Sequence, residues 1–407
     1  MLQTRFVAPT LSALGLVLIL AACSGSSGGV TPSAAAPGSQ IWRTQGAAAA
    51  ASGQYAYISD WNTGDVDTYA VDAKSGALKS LGLTATVAGG GTQPVTIDPT
   101  GKFAYVADYG SNDVYAFTID ASSGKLTPVS GSPFAAGTEP DGATTDPKGK
   151  FVYVANFGSD NVYGYAISSS TGVLTPVAGS PFTVNGPALW VGLDLKGKFA
   201  YVPSYNASGA GEVAAFTVNA STGALTPVAG SPFAAGTEPS WMTVDPSDKF
   251  VYVTNLGSND ISAYSINAKS GALKPVPKSP FKTGGEPYAV IVDPTGKFLY
   301  EVNLGSLNVS AFTIDATSGA LKPVPGSPFA TGINPQNIAV DSTGSFVYVA
   351  NFGTNYFTTG NIFAYAIDKT SGALKRVKGS PFAQGGHYSG VAICKRVGSA
   401  CPPPLPL

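Results

Sequence analysis

Apolar and polar residues alternate in short runs, and clusters of Gly, Pro, Asp, Asn and Ser separate the runs. No helical 3.6-residue stripe of useful length appears after the N-terminus. The stretch that begins at Pro140 shows the rule. Residues 143–145 predict a first strand, DPKGK at 146–150 a tight turn, and FVYVAN at 151–156 a second strand. FGSD at 157–160 predicts another turn, 161–167 a third strand, SSTG at 169–172 a turn, and 173–177 a fourth strand. Pro, Asp, Asn and Gly stand where turns need a preset or positive φ.

This unit recurs. The tyrosine of a GKFxYV-like motif falls at Tyr57, Tyr105, Tyr153, Tyr201, Tyr252, Tyr300 and Tyr348, with spacings of 48, 48, 48, 51, 48 and 48 residues. The decapeptide GSPFAAGTEP stands unchanged at 131–140 and 230–239. Four short strands repeated radially remove exposed sheet edges, so the pattern predicts an all-β, seven-bladed β-propeller of four-stranded blades. Before the first motif only a weak strand is available, at 47–51. After the seventh unit comes a surplus strand-like stretch, 388–393, that aligns with 288–293. The ring is therefore expected to close by a C-terminal strand completing the first blade. The Phe of GSPF (Phe134, Phe182, Phe233, Phe281, Phe329, Phe382) is expected to pack between blades.

Composition sharpens the picture at the ends of the chain. Only 12% of residues are charged and the net charge is −1, which gives no basic stripe for nucleic acid. Arg5 precedes an apolar run at 11–20 that is too short to span a bilayer, and the run ends in Leu20-Ala21-Ala22-Cys23. Residues 1–22 are expected to be a lipoprotein signal peptide and Cys23 its lipidation site, with 23–45 a flexible tether. The propeller is expected over 46–397, and 398–407 is a Pro-rich tail. This implies a lipid anchor in the cell envelope, with Ser24 favouring the outer membrane where the cell has one. In that oxidising setting Cys394 and Cys401 are expected to form a disulfide, since neither has neighbouring metal ligands.

The run DPTGKFAYVADYGSNDVYAFTIDASSGKLTPV and its seven copies resemble the lactonase family of seven-bladed propellers. That family includes 6-phosphogluconolactonase-like enzymes and overlaps the YVTN-repeat surface proteins, and the resemblance spans about residues 50–395. It implies a ligand site at the channel mouth and lactone hydrolysis as the activity. The residues just before each inner-strand proline would ring that mouth: Gln93, Glu139, Gly186, Glu238, Glu286 and Asn334, closed by His387. Asp141, Ser240, Tyr288 and Gln336 follow, with Trp190 and Trp241 deeper. His387 is the candidate general base, and Glu286, Glu238 or Glu139 would orient it or bind substrate. The same groups could instead hydrate a polar channel or cap turns. No metal or cofactor is expected. Asp60, Asp108, Asn156, Asn255, Asn303 and Asn351 recur once per blade, as turn caps would.

The basic side chains narrow the substrate. The arginines are Arg5, Arg43, Arg376 and Arg396, and Lys282 is the lysine nearest the mouth loops. Bidentate recognition of a phosphate or carboxylate favours Arg, so 6-phosphogluconolactone is a poor fit. The competing reading is a non-catalytic propeller that presents its mouth to a protein, glycan or small ligand. A closed ring has no free edge to pair, so a monomer is expected.

Overall fold

The computed structural model describes residues 54–354 and 358–395. Among them the strands form seven antiparallel sheets arranged as propeller blades, with no helix. The blade between Pro140 and Thr183 represents six of them. Its strands from the channel outward are Pro140–Thr145, Phe151–Asn156, Asn161–Ile167 and Leu174–Pro176. The second and third strands match their expected bounds, and the inner strand begins three residues earlier than expected. Burial explains the sequence pattern. Every residue of the two inner strands is buried, the third strand is buried at alternate positions, and the outer strand buries only Leu174. Unbroken apolar runs therefore mark the second strand, and alternation marks the third.

A short fifth strand, Phe182–Thr183, pairs with the mouth end of the third, a feature the sequence reading lacked. The GSPF segment forms the bulge between it and the fourth strand, where Ser132, Ser180 and their counterparts precede cis prolines. The serine hydroxyl accepts the third-strand amide of the same blade, as Ser132 does from Ala116 at 3.0 Å.

The first blade is closed by the C-terminal strand. Its order from outside to channel is Leu78–Thr86, Asp65–Val71, Gln54–Asp60 and Tyr388–Lys395. Tyr57 pairs with Ala392, and Tyr300 in the sixth blade pairs with Ile291. Ala392 thus corresponds to Ile291, one residue off the expected alignment, and Ser389 rather than Tyr388 takes the place of Tyr288. Cys394 on this strand is buried and disulfide-bonded. Cys401, Cys23, the signal peptide, the tether, the weak strand at 47–51 and the Pro-rich tail lie outside the described residues.

The repeated tyrosine has a specific task. Each hydroxyl donates to the carbonyl of a turn glycine in the next blade: Tyr57 to Gly124, Tyr105 to Gly172, Tyr153 to Gly223 and Tyr201 to Gly271. Tyr252 to Gly319 and Tyr300 to Gly372 continue the series, and Tyr348 to Gly76 at 3.0 Å joins the last blade to the first. Burial raises the pKa of each of these phenols, so each remains a donor. The glycines cannot be replaced without strain. Gly172 has φ of 75°, and a Cβ there would lie 2.5 Å from the ring of Phe103.

One buried position breaks the repeat. Ile58, Val106, Val154, Val202, Val253 and Val349 occupy equivalent places in the second strands, and the sixth blade has Glu301 there. Glu301 is fully buried. One carboxyl oxygen accepts from Thr283 Oγ1 at 2.5 Å and the other has no partner. Burial foremost, with the charge of Asp260, pushes its pKa up to about 8 despite the Thr283 bond.

Candidate functional site

The site lies at the end of the ring where each second strand turns into the third and each outer strand returns to the channel. Strand register puts these two kinds of loop together, since Asn156 pairs with both Asn161 and Pro140. The residues before the inner strands are fixed from two sides. Glu139 receives its backbone hydrogen bond at the carbonyl from Phe157 N and donates its own amide to Asn112 Oδ1 at 2.7 Å. Glu286 is held in the same way by Leu304 N and Asn259 Oδ1. Glu139, Glu238, Glu286 and Asn334 all take φ between 50° and 55°, the left-handed region. Their shared geometry comes from the repeated turn. The glutamate side chains lie over loop glycines: a Cβ on Gly158, Gly257 or Gly305 would come within 2.9–3.3 Å of a carboxylate oxygen.

His387 occupies the corresponding place in the first blade. Its amide donates to Asp60 Oδ2 at 3.0 Å, and its carbonyl accepts from Trp61 N. The imidazole Nδ1 lies 3.1 Å from the Phe352 carbonyl, and the ring packs on that of Phe352 with centroids 5.1 Å apart. A carbonyl only accepts, so this contact requires the proton on Nδ1 and leaves the lone pair on Nε2. The partner that sets the ring is therefore a backbone carbonyl. Among the described residues, no bond joins the ring to Glu139 or Glu286.

Register moves Gln93 away from the ring in which the sequence reading put it. Thr92 pairs with Asp108 as Pro140 pairs with Asn156, so Gly91 is the counterpart of Glu139, and Gln93 that of Asp141. Thr92 and Pro140 stand equally far before the aspartates of their DP turns, Asp98 and Asp146, but Pro94 sits two residues deeper in its strand than Pro140 does, which misled an alignment on proline. Gln93 Nε2 donates to Asp141 Oδ1 at 2.6 Å. Burial, with the charge of Glu139 and despite the Gln93 bond, pushes the Asp141 carboxyl up to about 7. Ser240 is at the same level, but its hydroxyl faces the next blade, 3.1 Å from the Tyr288 carbonyl. Gln336 is half-buried.

Below these, Trp190 and Trp241 stack with centroids 4.0 Å apart, and Trp241 meets Tyr288 at 6.0 Å. Tyr288 faces inward. Burial foremost, then the charges of Asp141, Tyr205 and Tyr109, raise its pKa well above the ordinary value. Tyr109 and Tyr205 were absent from the sequence reading. Tyr109 directly follows the second strand of its blade and Tyr205 ends that of its own, positions that read as turn, and alternation gives no sign that such a residue faces the channel. The Tyr109 pKa is raised by burial and by its contact with Glu139, and its ring packs on Trp61 at 5.5 Å.

The basic groups are elsewhere. Arg376, the arginine among the described residues, lies on an outer strand with its guanidinium 4.2 Å from the Phe363 ring centroid. Lys282 is paired with Asp260 at 3.3 Å. The once-per-blade Asp and Asn residues cap turns: Asp60 accepts from the amides of Asn62 and Thr63, and Asn156 Oδ1 from that of Gly137. Tyr356 and Phe357 of the longest mouth loop lie outside the described residues.

Ring, inner strands and mouth together define a seven-bladed propeller whose inner-strand entrances form the candidate site. The chain belongs to the lactonase family of seven-bladed β-propellers, whose model matches residues 45–191, 199–327 and 289–388. It is similar in structure to a provisionally assigned 6-phosphogluconolactonase of Bacteroides fragilis, with a TM-score of 0.73 and 20% identity, over 85% of this chain and 99% of that one. A provisionally assigned 6-phosphogluconolactonase of Bacteroides uniformis gives 0.72 and 17%, over 84% and 99%. The periplasmic gluconolactonase of Pseudomonas aeruginosa gives 0.71 and 17%, over 84% and 99%. At these identities the likeness is one of fold. No protein of curated function matches the sequence.

Proposed function

We propose that this propeller hydrolyses a lactone that carries no negative charge, at the channel mouth, with His387 as the general base. The observation that carries this reading is the Phe352 carbonyl at His387 Nδ1, which leaves Nε2 as a basic lone pair. In the reaction Nε2 takes a proton from water as its oxygen adds to the lactone carbonyl carbon. The tetrahedral intermediate collapses with cleavage of the ring C–O bond, and the imidazolium returns the proton to the leaving alkoxide. The product is the open hydroxy acid, and atoms and charge balance without a cofactor. Tyr288, protonated because of its burial, is the hydroxyl donor available to the developing oxyanion.

Charge selects the substrate in this reading. Glu139, Asp141, Glu238 and Glu286 surround the mouth, Lys282 is engaged with Asp260, and Arg376 is remote. A phosphorylated lactone would meet repulsion there and, among the described residues, no bidentate partner at the mouth. The test is a panel of neutral, anionic and aminated lactones given to the wild type and to His387→Ala. Hydrolysis that survives in the variant, or no hydrolysis by the wild type, sinks the catalytic reading.

A second reading is supported by the orientation of His387. Among the described residues no carboxylate bonds to its ring, and Asp60 bonds to the backbone amide instead. A base without an acidic partner suits a propeller that binds a ligand without turning it over. In either reading the chain is anchored in the cell envelope through acylated Cys23, the residue that ends the apolar leader. Labelling with radioactive palmitate tests this, and equal labelling of wild type and Cys23→Ala overturns it.

A further inference from the structure

The departure from the repeat at Glu301 extends beyond that one residue. In the second, third and seventh blades the same place on the second strand faces an aromatic side chain across the ladder: Val106 pairs with Tyr115, Val154 with Tyr163 and Val349 with Phe363. In the sixth blade the pair is Glu301 and Ser310, so a carboxylate and a hydroxyl replace an aliphatic group and a ring. The loop leading in from the fifth blade changes as well. Thr283 holds the place that Ala136 and Ala235 take in the two copies of GSPFAAGTEP.

Together these residues build a buried patch of oxygen atoms. Thr283 Oγ1 lies 2.5 Å from Glu301 Oε2 and 2.9 Å from Ser310 Oγ, and Asn303 Nδ2 donates to Ser310 Oγ at 2.9 Å. Glu301 and Asn303 are 0% exposed and Ser310 is 5% exposed. Two acceptors in the patch, Glu301 Oε1 and Asn303 Oδ1, are buried and have no hydrogen-bond partner among the described residues. The counterparts of Asn303 in the third and fifth blades are satisfied, since Asn156 and Asn255 accept from the amides of Gly137 and Gly236. Lys282, next to Thr283 in the chain, is taken up by Asp260 at 3.3 Å. A water molecule would donate to both free acceptors but brings no charge to balance a buried carboxylate.

We propose that this patch binds a monovalent metal cation, sodium, between Glu301, Asn303, Ser310 and Thr283. Glu301 Oε1 and Asn303 Oδ1 supply the lone pairs that hydrogen bonds leave unused, and the hydroxyl oxygens of Ser310 and Thr283 complete a set of oxygen donors that suits a hard cation. One carboxylate balances one positive charge, whereas a divalent ion would leave a net charge in a buried place. Thr283 stands between Phe281–Lys282 of the fifth blade and Pro287–Val292 of the sixth, in the loop that carries Glu286. The ion therefore ties that mouth loop to the wall of the sixth blade.

The test is urea unfolding of the purified full chain in sodium chloride and in choline chloride of equal concentration. Both salts screen exposed charges alike, and choline is too bulky to be enclosed by four side chains, so a difference reports the bound ion. Sodium at about ten times its dissociation constant favours the folded state about tenfold, and a shift of at least that size is expected for the wild type. Glu301→Val and Thr283→Ala bring in residues found at the same places in other blades, and each should unfold alike in the two salts. The stability of the wild type relative to Glu301→Val should accordingly rise from choline to sodium. Glu301→Gln serves if either variant fails to fold. The sodium-23 resonance should broaden in the presence of the wild type and not of Glu301→Val. Equal stability of the wild type in the two salts, as a buried water alone would give, overturns the proposal. So does a sodium effect that persists undiminished in the folded variants, or stabilisation by calcium chloride and not by sodium chloride.

Discussion

Replacing Glu301 by valine, the residue at most equivalent positions, should stabilise the propeller in a way that depends on pH. The carboxyl is fully buried and its pKa is pushed from 4.5 to about 8. Below pH 4.5 it is protonated whether the chain is folded or unfolded and has no effect. Between 4.5 and about 8 the unfolded chain has released the proton and the folded chain keeps it, so stability falls as pH rises. Above that range the penalty is constant. At about 1.4 kcal/mol per tenfold change in proton affinity, it is roughly 3 kcal/mol at pH 7 and approaches 5 kcal/mol at higher pH. Against this, Glu301→Val loses the Thr283 bond and some packing volume, together about 1–2 kcal/mol. Thr283 keeps Ser310 Oγ as a partner at 2.9 Å. The variant should therefore match or fall slightly below wild type at about pH 5, and exceed it by about 1–2 kcal/mol at pH 7. Urea unfolding of both chains at acidic, neutral and mildly alkaline pH measures this directly. A stability difference that stays flat across that range would refute the buried neutral carboxyl.

Four further outcomes are expected. Tyr348→Phe removes the donor to the Gly76 carbonyl between the last and first blades, and should cost about 1–3 kcal/mol in urea unfolding. Tyr115→Phe, at an exposed bond to Ala88, should cost less than about 1 kcal/mol and serves as its control. His387→Ala should abolish hydrolysis of a neutral lactone with an unchanged melting temperature, read by pH-stat titration of the released acid. Reduction with dithiothreitol should lower the melting temperature of the wild type and leave Cys394→Ser unaffected, since Cys394 is disulfide-bonded on the closing strand.

The fold was legible because its determinants are local and repeated. Second strands such as FAYVAD are buried on both faces, and the turn residues around them follow from φ alone. The surplus stretch at 388–393 announced the closure because a four-strand unit had been left short at the other end. What remained hidden depends on contacts far apart in sequence. The tyrosine is conspicuous in the repeat, yet its partner is a carbonyl about 70 residues away, and a carbonyl leaves no trace in the side-chain pattern. The Gln93 register was missed because a proline makes a visible landmark, and Pro94 stands two residues deeper in its inner strand than Pro140 does in the next blade. Tyr109 and Tyr205 reach the mouth only because ring curvature turns neighbouring loops towards one another. The orientation of His387 by Phe352 is likewise a main-chain effect between two blades.

The closing strand, Tyr388–Lys395, has a consequence for the order in which the molecule can be made. A ribosome delivers Gln54–Asp60 early, yet the partner for its channel-side edge comes more than 300 residues later, near the end of the chain. Throughout synthesis the first blade carries an unpaired apolar edge of the kind that invites association with other chains. Each later blade can complete itself as it emerges, but the circle of tyrosine bonds cannot be joined until the last segment arrives. Loss of a few residues from this end should therefore be felt at the beginning of the chain, as an open ring with two mismatched ends.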